Sequence, residues 1–261
     1  MQKTLSFKNI QLSYSDFGKG SVVVLLHGFL ENSTMWKDLI PKLSKTNRVI
    51  AIDLLGHGKT ACLGYVHSME LMGEAVEAVL KSLRIRKIKL IGHSMGGYVA
   101  LAFAEKNPTS IKALCLMNST SLDDDDERKE LRARANKMVQ SNFKNMVRMS
   151  FTNLFGEESR TKHKVEMELA LNEALKTPIQ GYIAGQEGMR IRPNRMNFLQ
   201  KASFKKLIVI GKKDPVLPFE VFLEEAQKTN SEIVVFNDGH MSHIENKESL
   251  IKALTKFVKT T

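Results

Sequence analysis

A serine enclosed by glycines lies in the stretch IGHSMGGY at residues 91–98. Gly92 and Gly96 stand two positions before and after Ser94, in the pattern G-x-S-x-G. A predicted strand runs into this pattern and a predicted helix leaves it, which is the setting of an exposed nucleophile on a sharp turn. Small residues are needed at both flanking positions because strand and helix approach each other closely there. The pattern predicts that Ser94 is a nucleophile.

Two other glycine-rich motifs fit this stretch less well. A phosphate-binding loop requires a lysine followed by serine or threonine at the end of the glycines, and none is present here. A dinucleotide-binding loop requires G-x-G-x-x-G, whereas Gly92, Gly96 and Gly97 have a different spacing.

A serine hydroxyl needs a base to accept its proton, and that base needs a third group to orient it. Asp214 follows the apolar run LIVIG, and His240 follows the run IVVF. The carboxyl ends of strands are where α/β folds place their sites, and the chain order serine, acid, histidine fits such a fold. We predict Ser94, Asp214 and His240 as the catalytic residues, with His243 as the alternative base.

Short apolar runs between helical patterns predict the scaffold, a mostly parallel sheet flanked by helices. Strands are predicted at 21–26, 48–52, 88–91, 111–117, 207–210 and 233–236, and an antiparallel edge strand at 11–16. Helical spacing covers 69–83, 98–105 and 250–258.

The strand pattern stops between about residues 121 and 201. Helical spacing replaces it at 131–147 and more weakly at 165–172, and Pro178 is suited to begin a third helix. We therefore predict an α/β core domain of residues 1–120 and 202–261, with residues 121–201 as a helical cap over the sheet.

Five stretches resemble the α/β-hydrolase superfamily, in its capped esterase, C–C hydrolase and non-haem perhydrolase branch: LLHGFLENSTMW, IDLLGHGKT, IGHSMGGY, GKKDPVLP and GHMSHIENKE. They span almost the whole chain. The resemblance implies an α/β-hydrolase fold with an all-helical cap inserted after the sixth strand. It also implies Ser94 as nucleophile, Asp214 as acid and His240 as base, with the amides of Phe29 and Met95 as the oxyanion hole.

The predicted activity is hydrolysis of carboxylic esters through an acyl-enzyme on Ser94, with no cofactor and no metal. By resemblance, the same scaffold serves C–C bond hydrolases and a menaquinone-pathway lyase. The stretch MRIRPNR contains Arg190, Arg192 and Arg195. Because arginine pairs well with carboxylates, a substrate that carries a carboxylate remains an alternative. A slow-turnover, hormone-receptor-like binding protein is a further alternative.

Contacts to the substrate are predicted from the helical cap. Six of the chain's 13 methionines lie between residues 138 and 196, and methionine suits an adaptable apolar pocket. We expect Met138, Met146 and Arg192 to contact the substrate.

The formal net charge is +11, but the basic residues are dispersed, so nucleic acid is not predicted as a partner. The run 123–126 of four aspartates precedes a helical pattern and is predicted to cap it rather than bind a metal. Two cysteines, Cys62 and Cys115, form no disulfide framework, and no apolar run has the length of a signal peptide or membrane span. We expect a cytoplasmic protein that acts on a small-molecule ester without a membrane partner, and the oligomeric state stays open.

Overall fold

The computed structural model describes residues 2–261, in which eight strands form one sheet. The strands are β1 Gln2–Phe7, β2 Ile10–Phe17, β3 Ser21–Leu26, β4 Asn47–Ile52, β5 Ile88–His93, β6 Ile111–Met117, β7 Lys205–Gly211 and β8 Glu232–Phe236. Their order is β1-β2-β4-β3-β5-β6-β7-β8. Pairing is antiparallel for β1–β2 and β2–β4 and parallel for every other neighbour. The predicted mostly parallel sheet is confirmed.

The prediction for the edge of the sheet is wrong in one respect. Strand β2 is antiparallel as expected, but it pairs on both sides, and β1 forms the edge. Lys8 and Asn9 have φ values of 46° and 66°, so they close a two-residue hairpin of the kind that needs left-handed backbone. Strand β1 escaped the sequence analysis because its side chains are largely exposed and it has no apolar run.

Helices cover both faces of the sheet, and both faces are apolar. The flanking helices are α1 Ile40–Leu43, α2 Met69–Ser82, α3 Met95–Lys106, α9 Phe219–Lys228, α10 Ser242–Glu245 and α11 Lys247–Lys259. Val24 and Leu26 pack in the cluster that contains α2 and α3, whereas Val23 and Leu25 pack in the cluster that contains α11. This alternation explains why the central strands read as continuous apolar runs.

Five helices lie between β6 and β7, and we call them the helical segment: α4 Asp126–Thr152, α5 Glu157–Lys162, α6 Lys164–Ala174, α7 Ile179–Arg190 and α8 Met196–Lys201. The side chain of Asp125 caps α4 by accepting the amide of Arg128, and α4 is kinked at Asn142. Leu30 and Met241, from loops of the sheet, pack into the apolar cluster of this segment. We propose that residues 121–201 form a cap.

Every helix within residues 2–261 is too short or too polar to cross a lipid bilayer.

Candidate active site

Ser94 forms the sharp turn between β5 and α3. Its φ of 48° and ψ of −117° lie outside the regions that non-glycine residues ordinarily adopt, so the backbone is strained there. A methyl group on Gly96 would overlap the carbonyl oxygens of Leu26 and His27, and one on Gly92 would overlap the backbone at Gly96. Both flanking positions therefore require glycine.

Two hydrogen bonds connect Ser94, His240 and Asp214. The Oγ atom of Ser94 lies 2.9 Å from Nε2 of His240, and Nδ1 of His240 lies 2.8 Å from Oδ2 of Asp214. An ionised carboxylate only accepts, so Nδ1 carries the proton and Nε2 accepts the serine hydroxyl. The arrangement can transfer a proton from Ser94 to His240.

Asp214 is held in place by several donors besides His240. The side-chain amide of Asn118 donates to Oδ2 at 3.0 Å, and the backbone amides of Val216 and Leu217 donate to Oδ1 at 2.9 and 3.1 Å. Burial raises the pKa of this carboxyl, but His240 and the hydrogen bonds outweigh burial, so the pKa of Asp214 is below its ordinary value. Asp214 is therefore an anion beside His240 at neutral pH.

Asn118 contacts the candidate site, and its place there was not predicted from the sequence. It follows β6 directly, with a φ of 45°. Besides Asp214, its amide group reaches the carbonyl of Gly239 at 3.3 Å, and its oxygen accepts from Ser242 at 2.7 Å. Asn118 thus joins the aspartate loop to the histidine loop. A polar residue at the carboxyl end of a strand was the signal available for it.

The amides of Phe29 and Met95 have no protein acceptor within residues 2–261. Phe29 follows Gly28, whose carbonyl accepts the amide of Glu31 at 3.2 Å and Nδ1–H of His27 at 2.7 Å. Met95 is the first residue of α3, where an amide has no partner inside the helix. Both residues adjoin Ser94 or its cavity, and we propose their amides as the donors to an oxyanion.

His243, the alternative base, does not bond to Ser94. Its Nε2 lies 3.4 Å from Oε1 of Glu31, and its ring packs edge-on to His93 with centroids 5.5 Å apart. Burial lowers the pKa of His243 to about 4, so this imidazole is neutral at pH 7. The geometry favours His240.

A buried ion pair, missed from the sequence, lies beside Ser94. Nδ1 of His93 is 2.6 Å from Oε2 of Glu31. The same oxygen accepts the amide of Gly28 at 2.7 Å, and Nε2 of His93 lies 3.1 Å from the carbonyl oxygen of His240. Burial opposes both charges, but their mutual attraction outweighs it: the pKa of Glu31 falls to about 2, and the pKa of His93 is raised.

Together with His243, this pair brings three ligand-type atoms within 4.8 Å of one another. Metal ligation by His93 would need a nitrogen without a proton. Both of its nitrogens face acceptors, the carboxylate of Glu31 and the carbonyl of His240. The geometry therefore favours a doubly protonated imidazole over a metal ligand.

A cavity of about 150 Å³ opens at Ser94. Its lining is mixed, with about as many polar as apolar side chains, and Glu31, His93, Ser94 and His240 are among the polar ones. The apolar residues are Phe29, Leu30, Leu154, Met189, Val216 and Met241, and the polar residues from the helical segment are Arg132, Ser150 and Gln186.

The predicted substrate contacts need correction, because none of the three residues lines this cavity. Met138 is 55% exposed on the outer face of α4, where Val139 takes the buried position. Met146 packs within the apolar cluster of the helical segment. Arg192 is buried, with Nη1 2.7 Å from Oδ1 of Asp124 and its guanidinium 4.0 Å above the ring of Tyr98.

Arg132, which the sequence analysis did not select, is the arginine that lines the cavity. Its Nε donates to Oδ2 of Asp124 at 2.5 Å, and its Nη1 donates to Gln186 at 2.7 Å. Asp124 thus lies between Arg132 and Arg192. Burial raises the pKa of Asp124, but the two arginines outweigh burial and leave the pKa lowered. One carboxylate between two guanidiniums leaves one positive charge uncompensated beside the cavity.

The other two arginines of MRIRPNR bind carboxylates of the protein. Arg190 pairs with Glu187 on the same helix at 2.8 Å. Arg195 pairs with Glu70 and, at 3.0 Å, with Glu105, so it ties the helical segment to α2 and α3.

Comparison with known proteins agrees with this architecture. The sequence profile of the alpha/beta hydrolase fold family matches residues 21–247. The 2-hydroxy-6-oxo-6-(2'-aminophenyl)hexa-2,4-dienoic acid hydrolase of Metapseudomonas resinovorans is 25% identical, over 99% of this chain and 91% of its own length. The 2-hydroxy-6-oxononadienedioate/2-hydroxy-6-oxononatrienedioate hydrolase of Paraburkholderia xenovorans is 26% identical, over 95% of this chain and 91% of its own length.

Among solved structures, a thermophilic esterase from Thermogutta terrifontis, with malate bound, is similar over 100% of this chain and 98% of its own. The TM-score is 0.93 and the sequence identity 29%. The family profile covers most of the chain, and the sheet order, the strained serine turn and the helical segment occur together in the structure. This protein is a hydrolase and belongs to the α/β-hydrolase fold family.

Proposed function

We propose that the protein hydrolyses carboxylic esters through an acyl-enzyme on Ser94. The observation that carries this proposal is the hydrogen-bonded series Asp214–His240–Ser94, with distances of 2.8 and 2.9 Å. The similarity to the Thermogutta esterase supports the ester class.

In the first half-reaction, Nε2 of His240 takes the proton from Ser94 as its Oγ attacks the ester carbonyl. Asp214 stabilises the imidazolium that forms. The negative charge on the former carbonyl oxygen is accepted by the amides of Phe29 and Met95. Collapse of the tetrahedral intermediate breaks the C–O bond, and His240 gives its proton to the leaving alcohol.

The second half-reaction repeats these roles with water. His240 takes a proton from a water molecule whose oxygen attacks the acyl carbon. The bond to Ser94 then breaks, and the proton returns from His240 to Oγ, so the carboxylic acid leaves and the enzyme is regenerated. A cavity of about 150 Å³ with apolar side chains in part of its wall suits a small acyl or alcohol group.

Turnover of p-nitrophenyl acetate and butyrate by the Ser94→Ala and His240→Ala variants tests the mechanism. Each substitution is expected to lower kcat by at least about 1,000-fold because it removes the nucleophile or its base. Ser203→Ala, at an exposed serine before β7, is the matched control and is expected to keep the wild-type rate. Full activity in Ser94→Ala contradicts the proposal.

A fluorophosphonate label distinguishes an enzyme from a slow-turnover binding protein. Wild type is expected to take the label on Ser94 and to complete many cycles on an aryl ester. One rapid acylation followed by almost no steady rate would instead favour the receptor-like alternative.

A second candidate is C–C bond hydrolysis of a carboxylate-bearing substrate, with the same three residues. Two observations favour it: Arg132 lines the cavity, and the two relatives described above are named for acids. Arg132 would bind the carboxylate, while Asp124 keeps Arg192 as its partner.

The Arg132→Met variant tests this candidate with a neutral aryl ester and the monoaryl ester of a dicarboxylic acid. If the site binds a carboxylate, kcat/KM for the anionic ester falls by at least about 10-fold and that for the neutral ester by less than about 3-fold. Arg190→Met is the control, since Arg190 pairs with Glu187 outside the cavity. Equal losses on both esters exclude a carboxylate-binding role, and cleavage of a 2-hydroxy-6-oxodienoate, followed by its absorbance, tests the bond type.

A further inference from the structure

Three loops of the site meet at the buried pair of Glu31 and His93. Glu31 lies in the loop that carries the Phe29 amide, and it accepts the amide of Gly28 at 2.7 Å. His93 is the residue before Ser94, and its ring lies between Glu31 and the backbone of His240. One series of contacts, Gly28–Glu31–His93–His240, therefore connects the oxyanion loop, the serine turn and the histidine loop.

The protons of this series follow from its acceptors. Oε2 of Glu31 accepts the amide of Gly28 at 2.7 Å, and the pKa of Glu31 is lowered to about 2, so the group is an ionised carboxylate at neutral pH and accepts from Nδ1 of His93. The His240 carbonyl oxygen can only accept, at 3.1 Å from Nε2 of His93. Both nitrogens of His93 therefore carry protons, and the ring is a cation.

The charged pair is enclosed by protein, with side-chain exposures of 1% for His93 and 5% for Glu31. A buried ion pair adds little net stability because removing two charges from water offsets their attraction. Such a pair does fix the relative position of its two side chains, because separating them would leave a buried charge without a partner. His243 and His27 also lie near this pair, and burial keeps both neutral by lowering their pKa values.

We propose that Glu31 and His93 are positioning residues for the hydrolysis. Glu31 holds the oxyanion loop through Gly28, and His93 holds the histidine loop through the carbonyl of His240. The pair thereby keeps the Phe29 amide and Nε2 of His240 at the spacing that one tetrahedral intermediate requires. This inference rests on the proposed ester hydrolysis and concerns residues outside the Asp214–His240–Ser94 series.

The Glu31→Gln variant tests the charge, and Glu31→Ala tests the whole connection. The glutamine keeps an oxygen for the Gly28 amide but has no charge to hold the imidazolium. With an aryl ester, we expect kcat to fall about 10- to 100-fold in Glu31→Gln and further in Glu31→Ala, with KM changed less than about 3-fold. A selective loss in kcat indicates positioning when the folded fraction is unchanged, because unfolded enzyme also lowers the apparent kcat at constant KM.

Glu225→Gln is the matched control. Glu225 is also a buried carboxylate in contact with a loop that follows a strand, because it accepts the hydroxyl of Thr120 at 2.5 Å and the amide of Ser121 at 2.7 Å. It does not line the Ser94 cavity, so kcat is expected to stay within about 3-fold of wild type. Thermal unfolding of all variants confirms that each is folded at the assay temperature.

Nitrogen-15 NMR of the histidine rings measures the charge directly. The His93 signals, assigned by their loss in His93→Gln, are expected to show two protonated nitrogens at pH 6.5 in wild type and fewer in Glu31→Gln. A neutral His93 in wild type overturns the inference, as does a Glu31→Gln variant with wild-type kcat.

Fluorophosphonate labelling separates this inference from the proposed function. Slower labelling of Glu31→Gln than of wild type supports the positioning role. Loss of labelling in Ser94→Ala together with wild-type labelling in Glu31→Gln overturns this inference alone. A wild-type protein that takes no label overturns the proposed function, and this inference with it.

Discussion

The backbone amide of His240 donates a hydrogen bond to the carbonyl of Leu154 at 3.1 Å. Leu154 lies just beyond the end of α4, so the proposed base is tied directly to the helical segment. Glu245 adds a second connection, since its Oε1 accepts the amide of Gly156 at 3.3 Å and its Oε2 accepts the amide of Met241 at 2.9 Å. The helical segment thus supports the histidine loop and also contributes residues to the cavity lining.

Glu245→Ala removes the acceptor of two backbone amides, one of them at the fully buried Met241. We expect the free energy of unfolding to fall by about 1–3 kcal/mol, because a buried amide without a partner retains its desolvation penalty. Urea unfolding measures the change. Glu248→Ala, at an exposed glutamate in the first turn of α11, should change it by less than about 1 kcal/mol. Equal losses of unfolding free energy in Glu245→Ala and Glu248→Ala would show that Glu245 does not stabilise the contact between the histidine loop and the helical segment.

Asp214→Asn should lower kcat for ester hydrolysis by about 10,000-fold while the protein stays folded. The amide can donate to Nδ1 of His240, and the ring then presents its proton to Ser94 instead of an acceptor. Steady-state kinetics with an aryl ester provides the measurement. Asp238→Asn, two residues before His240, is the control that should keep nearly full activity. A small effect of Asp214→Asn would mean that another group orients the imidazole.

Gly96→Ala tests the steric requirement of the serine turn. The added methyl would overlap the carbonyl oxygens of Leu26 and His27, which are backbone atoms that cannot turn away. We expect a loss of about 1–3 kcal/mol or more in unfolding free energy, together with loss of labelling at Ser94. Gly156→Ala is the control, because its nearest neighbour would lie at 3.7 Å, an ordinary contact. Wild-type stability in Gly96→Ala would contradict the close packing at the turn.

Asp124→Asn removes the charge between Arg132 and Arg192. Asp124 is fully enclosed and Arg192 is 3% exposed, so a buried guanidinium loses its counter-charge. A loss of about 3–5 kcal/mol in unfolding free energy is expected. Differential scanning calorimetry would detect it, whereas Asp126→Asn, at a solvent-exposed aspartate, should lower stability by less than about 1 kcal/mol.

Acid should destabilise the protein before its carboxylates titrate. Burial lowers the pKa of His57 to about 3 and the pKa values of His67 and His243 to about 4, against 6.5 as the ordinary value. Between pH 6.5 and 4 the unfolded chain therefore binds protons that the folded protein does not, and stability falls as pH falls. At pH 5 each histidine should remove up to about 2 kcal/mol relative to pH 7.

Urea midpoints at pH 7, 6 and 5 test this dependence. His67→Gln should reduce by about one the number of protons that the chain takes up on unfolding in this pH range. Glu31, with its pKa lowered to about 2, adds a loss only below about pH 4.5. His93 has the opposite sign, because its pKa is raised: its contribution is complete below pH 6.5 and is lost as the pH rises through its folded-state pKa. A midpoint that stays constant from pH 7 to 5 would contradict the buried neutral histidines.

The prediction of the fold succeeded where the signal is local. Each central strand is buried on both faces, so its apolar run could be recognised without knowledge of its neighbours. The prediction failed for β1, whose six residues pair with β2 but are largely exposed to water, so no hydrophobic pattern marks them. The same omission made β2 an edge strand in the prediction.

The sequence by itself determined the turn at Ser94, because steric exclusion between strand and helix demands the glycines that flank it. It also determined the order of Ser94, Asp214 and His240 along the chain and their positions after strands. Motifs and hydrophobic periodicity are properties of residues that are close in sequence, so they can be recognised without the tertiary structure.

Only the tertiary structure decided which side chains face one another across the site. Glu31 and His93 are 62 residues apart, and Arg132 and Gln186 are 54 residues apart, so no local pattern connects them. The choice between Arg132 and Arg192 as the cavity arginine depends on how the helical segment packs over the sheet. The sequence shows that a side chain is charged but does not show its neighbours. Whether it forms an ion pair within the protein or binds a ligand depends on the groups that the fold brings within about 3 Å of it.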